Sequence, residues 1–323
     1  MILSICIPTL NRALYLKKNL NRLISIIDEL NIIDKIEIVV SDNNSEDSTN
    51  SVLNEFKNLY SKRYNLLFWR QETRLVMQEN LLFVVSKAQA KYFMWLGDDD
   101  FINKDYLSNS LDAIINKNVG LILPSYKFIN NEGVLLNGGR DLRLKNRIYS
   151  PSFKNCRINS WRGHQLSGLV ANTDILKDYR KYEINNIYPC IFFSCMGTLN
   201  YKTFHLTECP IEVTLVNQEY KAWGYGEDGL FDDIFDNYKK LPLTNIKKSI
   251  LQLHFFYVQY WRLWAYKKLG VRKFLKAIIK ILNTKNSTVL FKIFFLFLVF
   301  LRMIDLPLRK TAKAIILKSG LYK

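Results

Sequence analysis

Cysteine is scarce here. The five residues Cys6, Cys156, Cys190, Cys195 and Cys209 are odd in number, scattered, and free of C-x-x-C spacing. That excludes a disulfide framework and a zinc knuckle, and fits a reducing compartment. No G-x-G-x-x-G follows the first apolar run, and no G-x-x-x-x-G-K-[ST] occurs. A dinucleotide dehydrogenase and a P-loop NTPase are disfavoured accordingly. Histidine is limited to His164, His205 and His254, far apart in the chain, so no i, i+4 metal pair is available. Long apolar runs are missing too. Val289–Leu301 is apolar except for Lys292 but shorter than the roughly twenty residues a membrane span requires. The opening Met1–Ile7 is apolar, yet Pro8 ends it and no basic segment precedes it, so it reads as a core strand and not as a signal peptide.

Acidic residues are nearly absent from one region in particular. From Leu241 onward there are 17 Lys and Arg against a single acid, Asp305, a net +16, whereas residues 1–240 hold 29 basic and 28 acidic residues, a net +1. Such asymmetry predicts an anionic surface as partner of the tail.

Apolar residues make up 49% of the chain, enough for a sizeable folded core. Strand and helix patterns alternate through the first hundred residues. Ile2–Ile7, Ile36–Val40, Leu66–Trp69 and Tyr92–Leu96 read as strands, the first two buried on both faces. Helical spacing recurs from Leu14 to Ile27, Val52 to Leu59, Met77 to Ala88 and Leu107 to Ile115. This β-α-β-α-β-α-β order predicts a mostly parallel sheet covered by helices. Further on, Val119–Ile129 and Val134–Leu136 flank the turn Asn130–Gly133 as a hairpin, Ile211–Val216 reads as a strand, and Gly226–Tyr238 as a helix. After Pro242 the chain reads as helical throughout.

Ligands bind parallel α/β sheets at the carboxyl ends of the strands. Three polar loops fall at such ends here: Pro8–Arg12, Ser41–Ser45 and Asp98–Asp100. The acidic triplet is the sharpest of them. Three adjacent carboxylates repel one another, and a hard cation such as Mg²⁺ or Mn²⁺ relieves that repulsion. The simpler alternative is a helix N-terminus, with Asp100 capping a helix near Lys104.

In order, Ile5-Cys6-Ile7-Pro8-Thr9-Leu10-Asn11-Arg12, Glu37–Thr49 with Ser41-Asp42-Asn43-Asn44-Ser45 at its centre, and Trp95-Leu96-Gly97-Asp98-Asp99-Asp100 resemble the family 2 glycosyltransferases of GT-A fold. The likeness covers residues 1 to about 115. The Leu-Gly-Asp-Asp-Asp form resembles the abequosyltransferase-like branch, from bacterial surface-polysaccharide synthesis. The resemblance implies a nucleotide-sugar donor. Thr9, Asn11, Arg12 and Asn44 would lie in the nucleotide-side loops, with Asp42 accepting from a base N–H and Asn80 lining the donor pocket. In the family's D-x-D-D run the first Asp falls on Gly97 here. That departure points to Asp99 as metal ligand, Asp98 as ribose or metal contact, and Asp100 as support, with Mn²⁺ or Mg²⁺ as the ion. Inverting transfer, which the family implies, requires a base. Two registers compete. Gly226-Glu227-Asp228-Gly229 resembles the family's Glu-Asp pair and makes Asp228 the base. Ile187–Phe192 resembles a stretch where a polar residue follows Tyr-Pro; Cys190 stands there, and Glu183 would have to serve. Trp161–Gln165, with His164, is a candidate acceptor-side wall.

The expected organisation is therefore 1–115 for the donor, 116–240 for the acceptor, and a basic helical region 241–323. Aromatics such as Tyr260, Trp261 and Trp264 beside Lys267, Lys268, Arg272 and Lys273 match an interfacial membrane helix. Residues 245–323 would then sit on the anionic inner membrane at its cytoplasmic face, near a glycan or lipid-linked glycan acceptor. No nucleic-acid-binding module is present. A sugar nucleotidyltransferase and a non-catalytic membrane-binding protein are the alternatives.

Overall fold

A computed structural model describes residues 1–182, 186–215 and 226–318, with the backbone alone for 305–318. The chain forms two compact units, Met1–Ala222 and Trp223–Lys323.

The first unit begins with β1 (Leu3–Thr9), α1 (Ala13–Leu30), β2 (Ile36–Asp42), α2 (Thr49–Tyr60), β3 (Asn65–Arg70), α3 (Met77–Ser86), β4 (Tyr92–Trp95) and α4 (Lys104–Lys117). β2 and β4 are buried along their whole length, and β1 nearly so, which is why their sequences show no alternation. Local chemistry sets the helix ends. Asn31 and Asn118 close α1 and α4 in the left-handed conformation, and Asn103 caps α4 by accepting from the Tyr106 N–H. Asn103, not Asp100, is thus the cap of that helix.

The unit continues with β5 (Leu121–Ile129), β6 (Leu135–Arg140), β7 (Arg147–Tyr149), α5 (Phe153–Asn159), a 3₁₀ turn at Ser160–His164, β8 (Val170–Asn172), α6 (Asp174–Lys181), α7 (Pro189–Asn200) and β9 (Thr203–Thr214). β5 and β6 form the expected hairpin. The last strand starts well before Ile211, and Val216 lies outside the described residues.

One sheet runs in the order β3-β2-β1-β4-β8-β5-β9-β7, with β6 paired to β5. β1 to β4 pair in parallel as expected. β8 then joins antiparallel to both β4 and β5. From β1 the chain moves out through β2 to β3, then returns to place β4 on the other side of β1. The strand order reverses at β1, so a crevice opens between the carboxyl ends of β1 and β4. α7 is buried from Pro189 to Thr198, with Phe193 against Phe93 and Trp95.

The second unit holds α8 (Phe231–Lys240), α9 (Asn245–Gln259), α10 (Trp261–Lys268), α11 (Val271–Asn283) and α12 (Val289–Lys318). α8 begins five residues later than its sequence pattern predicted. Gly226, Gly229 and Leu230 have φ of 60°, 69° and 63°, a left-handed turn that cannot continue into a helix. Its core is aromatic: Phe231, Phe235, Phe255, Phe256, Phe291 and Phe295 are buried together.

Candidate active site

The parallel register places Thr9 opposite Asp42, and β4 ends beside them at Leu96, whose N–H donates to the Cys6 carbonyl. The three polar loops named from sequence therefore share one rim. Thr9 Oγ1 donates to Asp98 Oδ2 at 2.7 Å, joining the β1 loop to the acidic turn. Arg12 Nη1 reaches Asp99 Oδ2 at 2.9 Å and lies 4.0 Å from Asp98 Oδ1. Its guanidinium also stacks over Tyr15, 5.5 Å from the ring centre. Asn11, at a φ of 53°, accepts from the Glu46 N–H at 2.8 Å and donates its own N–H to Ser45 Oγ at 2.8 Å.

Asp42 is fully buried. One carboxylate oxygen accepts from the Ser45 N–H at 3.0 Å, and the other faces Arg70 Nη1 at 3.4 Å. Asn44, at a φ of 61°, meets Arg70 Nη2 at 3.3 Å. Asn80 is also buried: Ser41 Oγ donates to its Oδ1 at 2.6 Å, and its Nδ2 donates to the Ser41 carbonyl at 3.3 Å. Asn80 thus clamps α3 onto the end of β2.

The acidic triplet is not a three-carboxylate cage. Asp100 Oδ1 accepts from the Thr214 N–H at 2.9 Å, while its Oδ2 accepts from Ser167 Oγ and from Gln165 Nε2 at 3.3 Å. The turn thus aims Asp100 toward β9 and the loop before β8, and Asp98 and Asp99 toward β1 and Arg12. Among the described residues, no three His, Cys, Asp or Glu side chains are grouped to hold a metal ion. Asp100, expected as a support, is held by β9 and the loop before β8.

The remaining pair still suits a hard cation. Burial first, and the charge of Asp99 second, push Asp98 and Asp100 each up to about 7. Thr9 takes one oxygen of Asp98, and Arg12 lies beside both Asp98 and Asp99. An all-oxygen pair carrying surplus negative charge fits Mg²⁺ or Mn²⁺, which commonly take one or two carboxylates and complete their shell from phosphate and water.

Several supports were missed in the sequence. Asn19, buried in α1, donates its side-chain amide to the carbonyls of Gly97 at 2.9 Å and Asp100 at 2.8 Å. Ser167 also accepts from the Gly97 N–H at 2.9 Å. An Asn on the buried face of an amphipathic helix was the available signal for Asn19; Ser167 carried none.

The profile of glycosyl transferase family 2 matches residues 4–180, more than half of the chain. The protein belongs to glycosyl transferase family 2. Within this family-2 chain, 108 residues are 36% identical to the abequosyltransferase RfbV of Salmonella typhimurium, covering 33% of this chain and 31% of that one. The match thus spans about a third of that relative's length. The fold is similar to Staphylococcus aureus TarS 1–349, solved in complex with UDP-GlcNAc, with a TM-score of 0.67 and 18% identity over 88% of this chain and 80% of that one. It is also similar to the mannosyltransferase PcManGT of Pyrobaculum calidifontis, solved with GDP-Man and Mn²⁺, with a TM-score of 0.56 and 13% identity over 88% and 87% of the two chains. These likenesses establish the GT-A-type α/β fold.

The base candidates of this family-2 chain are placed differently. Asp228 accepts from the N–H groups of Leu230 at 3.0 Å and Asp232 at 2.9 Å, at the start of α8. Glu227 is exposed and paired with Lys276 at 3.2 Å and Lys280 at 3.4 Å. Cys190 is buried in the first turn of α7, where desolvation raises its thiol above the ordinary range. Glu183 lies outside the described residues. Trp161 and His164 stack with ring centres 5.8 Å apart, and Arg162 covers Trp161 at 4.7 Å.

Proposed function

We propose that this chain is a metal-dependent, inverting glycosyltransferase. It moves a sugar from a nucleotide-sugar, UDP-linked in our reading, to a glycan acceptor. The observation that carries the proposal is the cluster of Thr9, Arg12, Asp98 and Asp99 at the crevice where the strand order reverses. Family membership and the nucleotide-sugars bound by the two structural relatives support it.

Each residue has a task. A Mg²⁺ or Mn²⁺ ion held by Asp99 and Asp98 would supply positive charge for the departing diphosphate. Thr9 and Asn19 hold the acidic turn in place, which spares reorganisation during the reaction. Arg12, beside Asp98 and Asp99, is assigned to a diphosphate oxygen. Asp42 keeps lone pairs beyond its bonds to Ser45 and Arg70, and we assign them to a base N–H. Asp228 is assigned as general base. It takes the proton of the acceptor hydroxyl as that oxygen bonds the anomeric carbon and the bond to the diphosphate breaks.

The partial match to an abequosyltransferase supports an acceptor from bacterial surface-glycan synthesis, such as lipopolysaccharide or capsule. The basic region 245–323 supports attachment to an anionic membrane at the cytoplasmic face, near a lipid-linked acceptor. Among the described residues no helix is long and apolar enough to cross a membrane.

The test is product release with acceptor present. A glycosyltransferase frees nucleoside diphosphate, whereas a nucleotidyltransferase makes or consumes pyrophosphate, and a binding protein does neither. Asp228→Asn keeps a side chain able to cap α8 but removes the base. We expect kcat to fall about 10²–10⁴-fold with Tm within a few degrees of wild type. Full turnover in Asp228→Asn would return the search for the base to the 183–190 stretch.

A further inference from the structure

α12 carries more apolar surface than its fold uses. From Val289 to Ile304 only Lys292 and Arg302 are charged. The inward row is Phe291, Phe295 and Val299, all buried, with Phe291 against Phe235 at 4.7 Å and Phe295 against Phe256 at 4.9 Å. The opposite row, Ile293, Phe297, Phe300 and Ile304, is 62%, 56%, 58% and 44% exposed. Its spacing of four, three and four residues sets these side chains on one face. Even Arg302 turns inward, its guanidinium 3.9 Å from the Tyr257 ring centre and donating to the Tyr257 carbonyl.

α11 repeats the pattern. Phe274, Ala277 and Ile281 are buried, yet Val271, Leu275 and Ile279, four residues apart, stay exposed beside the basic Arg272, Lys273, Lys276 and Lys280. In each helix the apolar arc is wider than the part packed away. Soluble monomers rarely leave continuous apolar faces of this kind in water.

Charge decides what covers them. A second copy would bring one +16 region against another. Among the described residues no helix is long and apolar enough to cross a membrane. An anionic bilayer offers opposite charge to the lysines and an apolar layer to the rows beneath them.

We propose that the outward faces of α12 and α11 insert into the headgroup–acyl boundary of an anionic membrane, with α12 lying in the membrane plane. This rests on the reading of region 245–323 as membrane-attached, and adds the mode: attraction by charge, retention by insertion. Retention then resists salt, whereas attachment through charge alone does not.

The experiment is flotation of the full chain with phosphatidylcholine vesicles containing phosphatidylglycerol. Wild type is compared with the triple variant Ile293→Ser, Phe297→Ser, Phe300→Ser. These positions are exposed, and circular dichroism checks that the helices persist. We expect both proteins to bind at about 0.1 M NaCl, and only wild type to stay bound at about 0.5 M, where screening removes most surface attraction. The variant's partition coefficient should fall at least about tenfold, since three large apolar side chains are lost from the inserted face. Equal partitioning of the two proteins would overturn insertion through this face, and release of both at about 0.5 M would leave electrostatic attachment intact. Failure of wild type to float at either salt would overturn both membrane readings. A lipid-free wild-type dimer by light scattering, with a monomeric variant, would assign the face to a second copy and overturn the proposal.

Discussion

Arg12 sits where a cation is wanted. Its guanidinium reaches Asp99 and approaches Asp98, offsetting part of the buried negative charge that raises Asp98. A divalent ion at the same carboxylates competes with it, whereas a diphosphate gives Arg12 a new partner. Arg12→Gln should therefore act in opposite directions on two ligands. Mn²⁺ alone should bind tighter, by about fivefold if the ion pair is worth about 1 kcal/mol. The nucleotide-sugar should bind more weakly in the presence of metal. Calorimetric titration of each ligand measures both, and a parallel loss of both affinities would mean that Arg12 does not compete with the ion.

At the scale of elements, a buried charge cluster ties the end of β6 to the 3₁₀ turn and β9. Asp141, just after β6, accepts from Arg162 of the 3₁₀ turn at 2.6 Å and faces His205 of β9 at 3.0 Å. Burial opposes the Asp141 charge, but the hydrogen bonds from His205 and Arg162 outweigh it and hold the carboxyl well below its usual range. For His205, burial outweighs the bond to Asp141 and lowers the imidazole. Both groups thus bind protons less readily folded than unfolded, so acid weakens what this cluster contributes to stability. The His205 contribution begins to fade as pH drops below about 6.5, the unfolded value, and continues to fade down to the depressed folded value. The Asp141 contribution is complete above about 4 and disappears only as pH falls through its own depressed value. Asp98 and Asp100, raised to about 7, act in the opposite direction over the same range, so the His205 effect is read as a difference: the Tm gap between wild type and His205→Gln should narrow from about pH 6.5 downward. Asp141→Asn should cost about 3–5 kcal/mol at neutral pH, because Arg140 and Arg162 lose their counter-charge. An unchanged pH profile in His205→Gln would assign the acid sensitivity elsewhere.

At the scale of the whole molecule, the tail is both a core and a surface. Phe291 and Phe295 complete the aromatic core of the second unit, while the opposite face of the same helix is exposed. Deleting residues 286–323 therefore removes packing as well as any membrane contact. Each buried Phe contributes about 3–5 kcal/mol, so we expect the truncated second unit to lose its cooperative melting. Near-ultraviolet circular dichroism would detect this as lost aromatic signal. A truncated chain that keeps that signal would show that α8 to α11 form a core without α12.

The first four strands, their parallel order and the loops at their ends were legible in the sequence because each rests on local pattern: continuous β-branched burial, helical periodicity, then polar residues at a strand end. The order of motifs carried the family in the same way. α7 was hidden because it is apolar on every side and leaves no 3.6-residue period, and β7 and β8 because three residues carry no alternation. The directions of the three aspartates were hidden for a different reason. Thr9, Asn19, Ser167 and Thr214, which set those directions, stand far from the triplet in sequence and meet it only when the sheet closes. Composition by itself determined that the tail is basic and apolar. Which apolar side chains remain outside was decided by tertiary packing, since one face of α12 is consumed by Phe235 and Phe256 and the other stays exposed among the described residues.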